Sequence, residues 1–251
     1  GQAFQFARYS FHFHRSGKQP NSYFRGNAVY NTFNRVLTTH GIHEALVEWN
    51  VGYNAMGHNF FIEDGCEEDL IIQYNLAIKT KPSNSLLNSD QKATAFWITN
   101  PYNTIQHNRA AGGVQMGYWV NPFERAFPHR GKPPVYQDTE CPVYRSVKKW
   151  YNNTAHDMGL YGFWVMTLQE GSSYRPSTVD CQSTWPPGEA IFERGIFWNC
   201  LRGAEFALVG DNVWMKGFIA ANNILGGLSV KESSSGRYEG EYNQYGMGIK
   251  D

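Results

Sequence analysis

Short segments of alternating character recur along the chain, and one register aligns them. Their first and third residues are almost all apolar, as in the segments 60–63 and 118–121. Because side chains alternate between the two faces of a β-strand, the first and third positions are predicted to face inward and the second and fourth outward. The register covers six predicted strands, which begin at Phe11, Leu37, Phe60, Phe96, Tyr118 and Phe163.

A second repeat places an asparagine, usually after an apolar or aromatic residue, ten to thirteen residues before most of these segments. Its members are Asn27, Asn50, Asn75, Asn108, Asn153, Asn199 and Asn222, and its shortest steps are 23 residues. A β-rich repeat of this length is typical of one coil of a parallel β-helix, and leucine is too scarce for a leucine-rich repeat. Stacked asparagines can hydrogen-bond along the axis, and asparagine tolerates the left-handed backbone of a sharp corner.

The longer steps of the repeat predict insertions near residues 79–91, 121–145 and 168–190. Residues 1–251 are therefore expected to form a single, all-β parallel β-helix domain with loop insertions. Because the chain opens in the middle of a pattern, we expect it to be a fragment of a larger protein.

Charge and composition narrow the possible functions. Lys and Arg total 22 and Asp and Glu total 22, so the formal net charge is zero. Non-specific nucleic-acid binding depends on surplus positive charge, so no nucleic-acid partner is expected. No apolar run reaches the roughly 18 residues of a membrane span, so no transmembrane segment is predicted.

The outward positions of the register hold large aromatic residues, which form the candidate ligand-binding face. Exposed rings beside polar groups suit a sugar chain, because a pyranose stacks its C–H face on an aromatic ring. Two alternatives stay open: the loops 79–91 and 121–145 bury these rings as core, or the face binds a protein. The candidate residues are His12, Phe61, Trp97, Trp119 and Trp164.

His14, His40 and Glu63 fall at one position of three consecutive coils, with His12 and Asp64 adjacent. Imidazole and carboxylate groups at this spacing could bind a divalent metal, calcium or zinc, for which His14, His40, Glu63 and Asp64 are the candidate ligands. The same three residues could instead perform general acid–base catalysis, or form a polar stack that satisfies itself. The acidic run 63–69 is interpreted as a solvated turn.

Two features indicate an oxidising compartment. Cys141 and Cys181 lie in the two most loop-like stretches, and a disulfide between them is predicted. Asn152 begins an Asn-Asn-Thr sequon and is a candidate glycosylation site. The pairing of Cys66 and Cys200 stays open.

Several longer motifs carry a family resemblance. The segments 8–14, 60–65, 95–101, 107–113 and 198–205 resemble the β-helix region of the fibrocystin-L and cell-surface hyaluronidase superfamily, with more similarity to its fibrocystin-L branch. The resemblance implies a right-handed parallel β-helix within a large secreted or membrane-anchored extracellular protein. It implies either a cell-surface coat and adhesion role or calcium-dependent hyaluronan depolymerisation. Ser10 stands where the family usually has proline, and no catalytic set can be transferred to this chain.

Two functional hypotheses result. The leading one is a structural and recognition module at the cell surface, with neighbouring domains of the same chain and a glycan or cell-surface protein as partners. The alternative is part of a glycan-cleaving enzyme that uses His14, His40 and Glu63. An open outward face favours the enzyme, and a face covered by the 79–91 and 121–145 loops favours the module.

Overall fold

The architecture is a parallel β-helix, seen in a computed structural model that describes residues 8–84, 88–126, 141–168, 172–176, 188–210, 212–231 and 248–250. Successive coils each contribute one strand to each of three parallel sheets. This arrangement confirms the predicted fold class. Among the residues described, no helix has the length and apolar character needed to cross a membrane.

The first sheet carries the predicted register. Its strands are β1 (Phe11–Lys18), β4 (Leu37–His43), β7 (Phe60–Ile62), β10 (Thr94–Ile98), β13 (Met116–Val120), β16 (Tyr161–Val165), β19 (Arg202–Ala207) and β22 (Gly226–Lys231). Phe60 pairs with Phe96, and Phe96 pairs with Tyr118, as the pattern predicts. The pattern missed β19 and β22, because Ala204 and Leu228 stand in the column where the earlier strands mostly carry aromatic residues.

The other two sheets consist mostly of three-residue strands. The second contains β2 (Tyr23–Arg25), β5 (Leu46–Glu48), β8 (Ile71–Gln73), β11 (Thr104–Gln106), β14 (Lys149–Tyr151), β17 (Ala190–Glu193), β20 (Val213–Lys216) and β23 (Gly248–Lys250). The third contains β3 (Ala28–Tyr30), β6 (Val51–Tyr53), β9 (Leu76–Ile78), β12 (Arg109–Ala111), β15 (Thr154–His156), β18 (Ile196–Trp198) and β21 (Ile219–Ala221). Two 3-10 helices, Asn88–Lys92 and Pro142–Tyr144, lie within or at the edge of the predicted insertions.

The core runs along the axis between the three sheets. Stacked rings form its aromatic column: Phe60 lies 4.9 Å from Phe96, which lies 4.8 Å from Tyr118, with interplanar angles below 10°. The first and third residues of the predicted segments from Leu37 to Val165 belong to this core, apart from Thr39. The inward assignment of the register is therefore confirmed for these coils.

An asparagine ladder stabilises the corner between the second and third sheets. Asn75 Oδ1 accepts hydrogen bonds from the backbone N–H and side-chain Nδ2 of Asn50, at 3.1 and 2.9 Å. Asn75 in turn donates from its N–H and Nδ2 to Asn108 Oδ1. The ladder begins at Asn27 and extends through Asn108 to Asn153. It satisfies backbone N–H groups that the corner would otherwise leave buried without an acceptor.

The placement of Asn199 and Asn222 in this ladder was wrong. Trp198 pairs with both His156 and Ala221, so Asn199 and Asn222 lie at the corner that follows the third sheet. The long step after Asn153 contains an insertion, so spacing does not identify the next ladder position. The short asparagine motif occurs at both corners and cannot distinguish them. Both residues adopt the left-handed backbone there, with φ of 52°. That second corner is left-handed in seven coils, at Asn31, Asn54, Lys79, Gly112, Asp157, Asn199 and Asn222.

Substitution of a central ladder residue tests this role. Asn75→Ala removes the acceptor for the N–H of Asn50 and the donor to the carbonyl of Val47. Two buried backbone groups lose their partners, so we expect the free energy of unfolding to fall by about 2–4 kcal/mol. Asn27→Ala, at the exposed end of the ladder, should cost about 1 kcal/mol or less. Denaturant unfolding measures both, and equal losses would contradict the ladder's role.

Candidate functional site

The outward aromatic row of the first sheet is covered rather than open. Trp119 is fully buried, Trp97 is 3% exposed and Phe61 is also buried, whereas Trp164 is half-buried. Trp119 packs between Trp97 and Trp164, with ring centroids 4.9 and 4.5 Å away, and its Nε1 donates to the carbonyl of Met166. The assignment of Phe61, Trp97 and Trp119 as an exposed ligand-binding face is therefore wrong. These rings form a second apolar cluster outside the main core.

A buried ion pair closes one end of this row. The Arg35 guanidinium lies 3.5 Å above the Phe61 ring and donates to both carboxylate oxygens of Asp90, at 3.0 and 2.8 Å. Both side chains are almost completely buried. Asp90 belongs to the 3-10 helix Asn88–Lys92, so this part of the predicted 79–91 insertion is anchored beside the row. Residues 85–87, 127–140, 169–171 and 177–187 of the predicted insertions lie outside the described residues.

Histidine and carboxylate side chains meet at the same end of the first sheet. His14 pairs with His40 in the β1–β4 register, and the rings of His12, His14 and His40 lie 4.6–5.7 Å apart. His40 Nε2 is 2.8 Å from Asp64 Oδ2, and His40 Nδ1 is 3.7 Å from Glu63 Oε2. The structure thus brings together all the residues that the sequence grouped here. We call these five residues the histidine–carboxylate cluster.

The cluster residues differ in their electrostatics. Burial lowers the pKa of His14, and the neighbouring His40 lowers it further. Burial lowers the pKa of His40, but the hydrogen bond and charge of Asp64 outweigh it together with the charges of Glu63 and Glu67, so the pKa of His40 is raised. Burial raises the pKa of Glu63, partly offset by His40. Such a group can bind a cation or exchange protons near neutral pH.

Glu67 lies beside the cluster and was missed in the sequence. It is fully buried, and its carboxylate accepts backbone hydrogen bonds from Gly41, Asp64 and Gly65 at 2.8–3.2 Å. The solvated turn expected for residues 63–69 is therefore wrong at Glu67. Burial raises its pKa to about 7, and the nearby Asp64 adds to the shift. A run of acidic residues in a sequence does not reveal which of them turns inward.

Comparison with known proteins gives the family. The family model described as the CEMIP beta-helix matches residues 1–163. The chain belongs to the CEMIP beta-helix family. It is 40% identical to human fibrocystin-L over 233 residues, which cover 92% of this chain and 5% of that protein. It is 24% identical to the human cell surface hyaluronidase CEMIP2 over 305 aligned residues, covering 97% of this chain and 22% of that protein.

Further relatives come from Dictyostelium discoideum. Communication mutant protein F of Dictyostelium discoideum is 34% identical over 175 residues, which cover 62% of this chain and 15% of that protein. The resemblance expected from the sequence motifs is thus confirmed. The chain spans about one twentieth of the length of fibrocystin-L.

The cysteines of this CEMIP beta-helix chain fall into two classes. Cys141 is disulfide-bonded, and its predicted partner Cys181 lies outside the described residues. Cys66 and Cys200 are buried thiols, and burial raises the pKa of Cys200 to about 11. Asn152, the predicted glycosylation site, lies at a left-handed corner with its Nδ2 2.9 Å from His107 Nδ1. Glycosylation at Asn152 stays a prediction.

Truncation of a covered tryptophan distinguishes core from ligand surface. Trp119→Ala leaves a cavity among packed rings, so we expect a loss of about 3–5 kcal/mol in the free energy of unfolding. The matched control is Trp49→Ala, because Trp49 is 58% exposed and stacks on Tyr74 along a corner. This control should lose about 1.5 kcal/mol or less. Similar losses in both variants would contradict the covered arrangement.

The raised pKa of Glu67 predicts a pH dependence of stability. The folded state binds the Glu67 proton more tightly than the unfolded state, whose pKa is near 4.5. The stabilising contribution is therefore full below about pH 4.5 and is lost as the pH rises towards about 7. Denaturant unfolding between about pH 4.5 and 7 should show that the free energy of unfolding falls less with pH in Glu67→Gln than in the wild type.

The control for this experiment is Glu44→Gln, at a partly exposed ion pair with Lys18. It keeps Glu67 and should retain the wild-type slope. An unchanged slope in Glu67→Gln would mean that other groups produce the pH dependence. Glu67→Gln also removes one of the two side-chain oxygens that accept backbone hydrogen bonds. Its free energy of unfolding should therefore be lower by about 1–3 kcal/mol below about pH 4.5, and this deficit should shrink as the pH rises.

Proposed function

We propose that this chain is a rigid structural and recognition module of a larger extracellular protein. The observation that carries the proposal is the unbroken stack of coils, in which three parallel sheets of seven or eight strands enclose one continuous core. The disulfide at Cys141 supports an oxidising compartment such as the cell surface. The small share of fibrocystin-L that the chain matches supports a position among other domains of a long chain.

The surfaces that this module offers to partners are its exposed aromatic edges. Trp49 and Tyr74 stack 4.6 Å apart along the corner before the asparagine ladder, and His107 continues the stack at 4.8 Å. Tyr30 and Tyr53 are exposed on the adjacent third sheet. Aromatic rings beside polar groups contact both sugar rings and protein side chains. The partner class in this proposal is a glycan or a cell-surface protein.

A second candidate function is glycan cleavage, as the name of CEMIP2 describes for that relative. One observation favours it: His40 lies between the carboxylates of Asp64 and Glu63, and burial raises the pKa of Glu63. A carboxyl group whose pKa is raised by burial is better suited to act as a general acid towards a glycosidic oxygen. The covered aromatic row argues against this candidate, because the described part of that face offers no open row of rings for a polysaccharide.

Incubation with hyaluronan of high molecular mass separates the two functions. We expect the polymer to keep its size, with and without calcium, because the module has no catalytic role. Size-exclusion chromatography with light scattering measures the polymer length. Depolymerisation by the wild-type chain, abolished in Glu63→Gln, would contradict the structural proposal and support the enzyme.

A further inference from the structure

We propose that His12, His14 and His40 hold a zinc ion that fastens the first coil to the second. One ring nitrogen from each of the three histidines lies within 4.8 Å of the others. Zinc bound by three imidazoles takes Zn–N distances of about 2.0–2.1 Å, so nitrogens this close can converge on one ion through small side-chain rotations. This site goes beyond the proposed structural role and does not depend on it.

The backbone brings the three imidazoles to one place. His12 and His14 are two residues apart on β1, so their side chains point to the same face of the strand. His40 lies on β4 directly opposite His14 in the parallel register. The register between β1 and β4 is interrupted immediately after His14, where Arg15 and Gly17 adopt positive φ. The ligands thus come from two strands whose regular pairing is broken beside them.

The chemical type of the three ligands indicates which metal would bind. Calcium prefers six to eight oxygen ligands, whereas zinc is commonly bound by imidazole nitrogens. Three imidazoles therefore favour zinc over calcium, and His12 takes the place of the two carboxylates in the predicted ligand set. His14 is exposed, which leaves an entry path from solvent and room for a water molecule as the fourth ligand.

The surroundings of His40 suit a cation. Asp64 Oδ2 lies 2.8 Å from one ring nitrogen of His40, and Glu63 Oε2 lies 3.7 Å from the other. A carboxylate beside a ligating imidazole fixes the orientation of the ring and strengthens it as a ligand. Their two negative charges also offset the charge of a divalent ion. Asp64, the nearer of the two, thus acts here as a hydrogen-bonding support of His40, which would bind the ion through its other nitrogen.

A bound ion would have a structural consequence. Two ligands belong to β1 and the third belongs to its neighbour β4. The ion would therefore join two successive coils of the solenoid. Because the folded arrangement holds the ligands together and the unfolded chain does not, zinc should stabilise the folded state.

The first experiment measures zinc content and affinity in protein without a histidine tag. After removal of metal with a chelator and return of zinc, elemental analysis should give one zinc per chain. Competition with a chromophoric chelator should show that His14→Ala weakens zinc binding by at least about tenfold. The matched control is His156→Ala, which removes a partly exposed histidine that pairs with Asp157 far from the cluster. It should bind zinc as the wild type does.

The second measurement links the ion to the first coil. Zinc should raise the Tm of the wild type and of His156→Ala, and should leave the Tm of His14→Ala unchanged. Because His14 is exposed, the metal-free Tm of His14→Ala should stay close to that of the metal-free wild type. Absence of stoichiometric zinc, equal affinity in His14→Ala and wild type, or binding of calcium alone would overturn the proposal. Hyaluronan depolymerisation would overturn the structural role and leave this result unaffected.

Discussion

Hydrogen bonding between successive parallel coils is the constraint on which the rest of this structure depends. Strands in register lie about 4.8 Å apart, so each residue has its equivalent in the next coil as its closest neighbour. The side chains that fit at a position are therefore those that can pack or hydrogen-bond with copies of themselves in the neighbouring coils. Asparagine can donate to the coil after it while accepting from the coil before, and so it forms a ladder from Asn27 to Asn153. Flat rings fill the same spacing, as Phe60 and Phe96 show.

The same constraint creates a problem on the outer face of the first sheet. A row of equivalent aromatic positions places Phe61, Trp97 and Trp119 side by side, and together they would expose a large apolar surface. The chain resolves this by covering the row, with Arg35 and Asp90 at one end. A buried ion pair contributes little net stability, but loss of one partner leaves an uncompensated buried charge. The pair therefore fixes where the covering segment sits.

How much of this was visible in the sequence differs between the core and the surface. The inward register follows from alternation alone, and the pairing of Leu37, Phe60 and Phe96 was predicted correctly. Alternation gives the face of a strand but not what covers that face, so the burial of Trp119 could not be derived. Glu67 was missed for a related reason: its backbone partners belong to a turn whose shape no periodicity encodes.

The candidate site was predictable in its membership and not in its geometry. Equivalence between coils placed His14 beside His40 and near Glu63, and the structure agrees. The central place of His12 could not be predicted, because its column holds the aromatic residues Phe61 and Trp97 in later coils. The ring distances place it beside His14 and His40. In this column, the coil that contains β1 carries a histidine, which can bind a metal, where later coils carry an apolar ring. Among the described residues, β1 is hydrogen-bonded to β4. Metal coordination across β1 and β4 would add to their backbone hydrogen bonds an interaction that depends on the side chains alone.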